Sequence, residues 1–181
     1  MITSELLRIM YAPLDYIHER HFSKPTCAMP SALQQAVNHE LIRRFSLSTA
    51  IDFPLQTSDF SHRLVVEWKS VPEVAWLLGC KLARGTLARY GQLATLPNMA
   101  RRFVELPIAC PAVELTMPVT KSSLEMHGAR YLFLLQQQLP AALGQRLHLV
   151  FEPDKQTNYL ECTLNRSLLT FAFDYAKNSS H

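Results

Sequence analysis

Two imidazoles stand three residues apart in His18-Glu19-Arg20-His21, and on a helix they would share a face. Zinc takes about four ligands, however, and no Cys or Glu/His pair is spaced to complete that set. The cysteines, Cys27, Cys80, Cys110 and Cys162, are scattered without a Cys-x-x-Cys pair. Cys80 follows an expected helix end in an apolar segment, and Cys162 falls inside an expected amphipathic helix. Both contexts suit a small buried hydrophobe better than an activated thiolate. No Gly-x-Ser-x-Gly, phosphate loop or His-Glu-x-x-His occurs, and five glycines are few for a phosphate cradle. No catalytic, metal or cofactor-binding constellation is formed, and the chain is not expected to be an enzyme.

The remaining chemistry is recognition. Lys81, Arg84, Arg89, Arg101 and Arg102 fall in a stretch without an acidic residue, flanked by Glu67, Glu73, Glu105 and Glu114. Arginines on a solvated helix face are the ordinary reading of such a run. The sharper one is the rim of a docking surface for an acidic partner. Rim charges mainly raise association rate and specificity, and exposed pairs contribute only about 0.2 to 1 kcal/mol each. An apolar centre is therefore required as well. Trp68 and Trp76 are read first as core residues; a partly exposed Trp68 would instead anchor an interface and join the basic residues as a partner-binding candidate. An alternative function, a small helix-turn-helix DNA-binding regulator, is suggested by VAWLLGCKLARGTLARYGQL, with Thr86 and Arg89 entering the major groove. Too many residues separate Gly79 from Thr86 for that motif, and two extra helical residues rotate the face by about 200°.

Helices must hold these side chains. In Ser70-Val71-Pro72-Glu73 a hydroxyl can cap the first-turn amides, Pro72 sits where no donor is needed, and Glu73 can reach back to the cap. Gly79 is expected to end this helix in the left-handed region. A second helix is expected from near Lys81 to before Thr95, and a third from near Pro97. Upstream, Ile2, Leu6, Ile9 and Met10 share one side of a helix that Pro13 ends, and residues 13–30 read as irregular with a short helical turn through Tyr16. Ser31 can cap a helix carrying Leu33, Val37, Leu41 and Phe45. Ser58 or Asp59 can cap another, with Phe60, Leu64, Val65 and Trp68 on one stripe.

Pro107, Pro111 and Pro118 exclude a continuous helix and mark the expected boundary between lobes. Val113, Leu115 and Met117 alternate with polar neighbours, and Leu147, Leu149 and Phe151 alternate with His148, Val150 and Glu152, so the two segments could pair as a minor sheet. Ser122-Ser123-Leu124-Glu125 matches a capping box, followed by Leu124, Gly128, Tyr131, Leu135 and Leu139 on one face. The last helix is expected from about Thr157 to Lys177, burying Leu160, Leu164, Leu168, Phe171 and Tyr175, with Asn178 to His181 frayed. The expected class is mostly α: one irregular multi-helix domain over residues 1–181, with an amino-terminal helical lobe over 1–106 and a carboxy-terminal helical lobe over 107–181. At most a small two-stranded β element accompanies the helices.

A chain of 181 residues can bury roughly 70% of its unfolded surface. Hydrophobic residues at 48% and charged residues at 18% argue for an ordered core. A net charge of +3 decides little by itself. Unpaired cysteine spacing suits reduced thiols in a cytosolic compartment. Glu5 and Arg8 interrupt what would have to be an apolar signal core, so MITSELLRIMY reads as a mature start. YLFLLQQQLPAALGQ is broken by glutamines and Pro140, short of the roughly 20 apolar residues of a membrane span. Any membrane role is expected to run through a partner.

The segment VPEVAWLLGCKLARGTLARYGQLATLPNMARRF, with APLDYIHERHF near the amino terminus, resembles the OrgA/MxiK family of type III secretion proteins, the SctK component of the sorting platform. The resemblance is strongest over about residues 68–106, persists in Pro13-Leu14-Asp15-Tyr16-Ile17-His18 and in overall length, and is slight over 107–181. It implies a non-enzymatic cytoplasmic adaptor that links the cytoplasmic domain of the inner-membrane ring protein to the C-ring-like cargo-binding platform protein. Such a protein sits at the cytoplasmic face of the inner membrane when assembled, is needed for secretion, and engages the ATPase and its stator indirectly. The resemblance implies no cofactor, no nucleic acid and no insertion into the membrane. A secretion chaperone is a weaker reading, because such chaperones are typically acidic.

Overall fold

A computed structural model describes residues 2–23, 29–53, 60–153 and 162–179. Among them the α-helices run α1 Ile2–Tyr11, α2 Ser31–Arg44, α3 Phe60–Val66, α4 Val71–Leu82, α5 Arg84–Arg89, α6 Asn98–Glu105, α7 Lys121–Phe133, α8 Ala141–Leu149 and α9 Arg166–Ser179. Short 3-10 turns occupy Pro13–Asp15, Trp68–Ser70, Gln92–Thr95 and Leu134–Gln138. These elements form two compact units interleaved in sequence, one from Met1–Lys69 with Gln136–Lys155 and one from Ser70–Leu135 with Gln156–His181. Leu106, where two lobes were expected to meet, lies between α6 and α7, and both of those helices belong to the second unit.

In the first unit α1 buries Leu6, Ile9 and Met10, the i, i+3, i+4 pattern of an amphipathic helix. Pro13 stops it as expected and opens a 3-10 turn. The Tyr16 ring then meets Trp68 edge to face at 5.3 Å and 76°, while its hydroxyl donates to Ile9 O at 2.8 Å. Leu14, Ile17, Leu41, Leu47 and Leu149 close a local core, and His18 N donates to Leu149 O at 2.8 Å. Arg146 of α8 is fully buried. Its Nη2 donates to Met10 O at 2.7 Å, and its Nη1 to Ser48 O at 2.8 Å and Ala142 O at 2.9 Å. Carbonyls near a helix end lack intrahelical partners, so a guanidinium that reaches one from inside replaces water at that end of α1.

The second unit is built around α4, which is apolar on all sides and buried from Val74 to Leu82. It packs against α6, α7 and α9. Its closest crossing is with α7, where a Cβ on Gly79 would stand 1.8 Å from Leu124 O and one on Gly128 only 1.7 Å from Ala75 O. The two backbones therefore touch directly. This corrects the expectation that Gly79 ends the helix: α4 runs on to Leu82, and contact with α7 outweighs the roughly 1 kcal/mol helix penalty of glycine. A left-handed glycine does follow the next helix: Gly91, at φ 69° just after α5.

Other expectations change in the same way. No strand occurs among the described residues. Val113 N donates to Leu82 O at 2.9 Å and Leu115 N to Thr86 Oγ1 at 3.2 Å, so that extended segment is bonded to the ends of helices. Residues 147–149 close α8, which starts after Pro140, because a window that short fits a period of 3.6 as well as one of 2. Ser70 makes no capping bond, although Pro72 does sit in the first turn of α4. The capping box of α7 lies two residues earlier than expected: Thr120 Oγ1 accepts from Ser123 N at 3.1 Å, and Ser123 Oγ accepts from Thr120 N at 3.0 Å. In α9 the buried residues are Leu168, Leu169, Ala172, Phe173 and Ala176, with Phe171 exposed, and residues 162–165 are not helical. The expected caps Ser58 and Asp59, the start of the last helix at Thr157 with Leu160, Cys27, and the side chains of Asn178 to His181 lie outside the described residues.

Candidate docking surface

The six residues singled out for partner binding separate into two groups. Lys81 is only 3% exposed. Its ammonium donates to Val104 O at 2.7 Å and also to Leu106 O, closing the carboxy-terminal end of α6 from within the second unit. Burial lowers its pKa, and the carbonyls supply the hydrogen bonds that a buried cation requires. Lys81 is therefore a structural residue, not part of a rim. Trp68 is likewise buried, at 3% exposure against Tyr16, and its role is core packing in the first unit.

Arg84, Arg89, Arg101 and Arg102 are exposed. Arg89 pairs with Glu114, Nη2 to Oε1 at 3.1 Å. Arg84, Arg101 and Arg102 form no ion pair among the described residues. The helix-turn-helix geometry is not formed. Ala83 alone separates α4 from α5, closing one and opening the other, α5 has six residues, and Thr86 is buried with its hydroxyl accepting from Leu115 N. Presenting Thr86 to a groove would mean withdrawing it from the core.

The other chemistry-bearing side chains serve the fold. His18 and His21 lie in a turn, not on a helix. His18 Nδ1 accepts from Arg20 N at 3.2 Å, and His21 Nε2 donates to Phe151 O at 2.9 Å. Cys80 is buried mid-helix in α4, and desolvation pushes its thiol up to about 12, the opposite of an activated nucleophile. Cys162 is half-buried in the irregular stretch before α9.

One concavity accompanies the arginines. A cleft of about 500 Å³ in the second unit is lined by Asn98, Met99 and Arg102 of α6 and by Tyr175 of α9. The Tyr175 ring lies 5.5 Å from that of buried Phe103, tilted by 58°. Sequence reasoning singled out Arg102 but not Met99, and it read Tyr175 as simply buried. The spacing of Met99 and Arg102 was visible, but not that α9 would leave that face of α6 partly open.

The described elements are helical, buried Lys81 and Arg146 are tied to the protein's own backbone, and Arg84, Arg101 and Arg102 are exposed without an ion pair among the described residues, which defines the class as a multi-helix protein with a basic surface. Over residues 6–178 the chain matches the family described as "Bacterial type III secretion apparatus protein (OrgA_MxiK)", and it belongs to that family. The match runs through the carboxy-terminal part, where the resemblance in sequence was slight. The chain is similar to the oxygen-regulated invasion protein OrgA of Salmonella typhimurium, with 29% identity over 171 residues, 94% of this chain and 85% of that protein. The OrgA proteins of strains SL1344 and LT2 match to the same extent. Its fold is similar to that of the cytoplasmic domain of the type III secretion sorting platform protein PscK from P. aeruginosa, with a TM-score of 0.63 and 18% identity over 94% of this chain and 92% of that one.

Proposed function

We propose that this chain is a non-enzymatic adaptor of the type III secretion sorting platform. It links the cytoplasmic domain of the inner-membrane ring protein to the C-ring-like cargo-binding platform protein, and so supports assembly and secretion. The observation that carries this reading is the family match over residues 6–178, to which the PscK-like fold adds support. No helix among the described residues is long and apolar enough to cross a membrane. Together with the cytoplasmic origin of the PscK domain, this favours a place at the cytoplasmic face of the inner membrane, held there by the ring protein, with the ATPase and stator reached indirectly. Arg84, Arg89, Arg101 and Arg102 form the charged rim of one docking surface, without Lys81 and Trp68. Rim arginines act mainly on encounter rate and partner choice.

Crosslinking tests the reading in cells that carry the secretion apparatus. The tagged chain, expressed at its native level, should recover both the ring protein and the platform protein, and its deletion should stop secretion. Recovery of neither would end the adaptor reading. The DNA-regulator alternative requires duplex binding near physiological salt, and no binding is expected.

A further inference from the structure

The cleft between α6 and α9 has an apolar wall and a charged edge. Met99 and the Tyr175 ring form the wall, and that ring rests at a tilt against buried Phe103. Phe171, one turn before Tyr175 on α9, is 42% exposed and lengthens the apolar strip. Arg102, three residues after Met99 on the same face of α6, stands at the edge with its charge unpaired among the described residues. The volume of about 500 Å³ falls in the range of recognition clefts, roughly 300 to 1,000 Å³.

Apolar walls alone would leave the occupant open, but the charges choose it. Arg102 is the charged side chain among the described residues that line the cleft, and no acidic side chain lines it with them, so a basic ligand would meet like charge. A carboxylate next to an apolar side chain would satisfy both the wall and the edge.

We propose that the α6/α9 cleft is the docking site for a short acidic segment of a partner protein. An apolar side chain enters between Met99 and Tyr175, and a neighbouring carboxylate pairs with the Arg102 guanidinium. This rests on the adaptor reading for its biological setting, while the cleft chemistry can be tested apart from it. A bidentate arginine–carboxylate pair gives direction as well as strength, which an exposed lysine would not.

Fluorescence polarisation with the full chain and three labelled nonapeptides tests the site. One peptide carries a central Phe flanked by Asp and Glu, the second has Asn and Gln in their place, and the third keeps the acids but has Gly for Phe. The first should bind best, and Arg102→Glu should weaken it by about tenfold or more at low salt. Met99→Ala should also weaken it, whereas Lys69→Glu, the same charge change on an exposed residue of the first unit, should not. Equal binding of the three peptides, an unchanged Arg102→Glu variant, an equal loss in Lys69→Glu, or displacement of the peptide by duplex DNA near physiological salt would each overturn the proposal. So would unchanged recovery of both apparatus proteins by Arg102→Glu in cells. Peptide binding in the expected pattern by a chain that recovers neither apparatus protein would sustain the cleft and remove the adaptor reading.

Discussion

Lys81 and Arg146 carry positive charge into apolar surroundings, and both direct it at backbone carbonyls. Three of the five carbonyls concerned lie at helix ends: Val104 and Leu106 for Lys81, and Met10 for Arg146. Replacing Lys81 by Met keeps its bulk but leaves two carbonyls without their donor, at a cost of about 1 to 3 kcal/mol. Urea unfolding should show that loss, and an unchanged midpoint would mean that water replaces the ammonium freely. His18 and His148 give a second expectation. Burial is the largest cause that holds each below the ordinary imidazole value, so the folded protein favours the neutral rings. Their contribution is complete above the unfolded value of about 6.5 and is lost as pH falls through that value towards the lower folded ones, because the unfolded chain binds the extra protons. The Tm should therefore drop between about pH 7.5 and pH 5, and drop less in His148→Gln. Equal slopes would assign the acid sensitivity elsewhere. From sequence, Lys81 was indistinguishable from the exposed arginines around it. Its burial depends on α6 folding back over α4.

At the scale of elements, the crossing of α4 and α7 depends on two glycines far apart in the chain. In Gly79→Ala or Gly128→Ala the new Cβ would meet backbone, which no rotamer change can relieve. Overpacking of a core usually costs about 1 to 3 kcal/mol, and these two variants should reach or pass the upper end. Gly85, in α5, has no atom within 4 Å of an added Cβ, so Gly85→Ala should stabilise by about 0.5 to 1 kcal/mol. Thermal melts of the three variants check the contrast, and equal shifts would refute the close crossing. A glycine ending a run of apolar residues reads locally as a stop signal. The same residue lets two helices touch only when its partner, here Gly128, arrives from elsewhere. The register of α9 was misread for a related reason: Leu168, Phe171 and Tyr175 form a plausible stripe, but the helix buries Leu168 with Leu169, Ala172, Phe173 and Ala176.

For the whole molecule the central expectation is separation of binding from stability. Arg101 and Arg102 are exposed and unpaired among the described residues, so reversing both charges should leave the Tm nearly unchanged. Partner recovery at low salt should fall by about tenfold, and the wild-type interaction should weaken as salt rises. Trp68→Ala should behave in the opposite way, destabilising by about 3 to 5 kcal/mol because a buried aromatic leaves a cavity. A Trp68 variant with intact Tm and lost binding would restore it to the interface.

The sequence by itself determined the helical class, the ends of α1 and α6 at their prolines, the buried face of α7 and the family to which the segment around residues 68–106 pointed. These depend on signals read within a turn or two of chain: proline positions, apolar period and residue order. Only the tertiary structure decided that Lys81 and Trp68 are inside, that Gly79 continues a helix, that residues 147–149 belong to one, and that Met99 and Tyr175 flank an arginine in a cleft. Each of those outcomes is set by which distant segment packs against the residue, and contact across the fold outweighs local preferences worth about 1 kcal/mol.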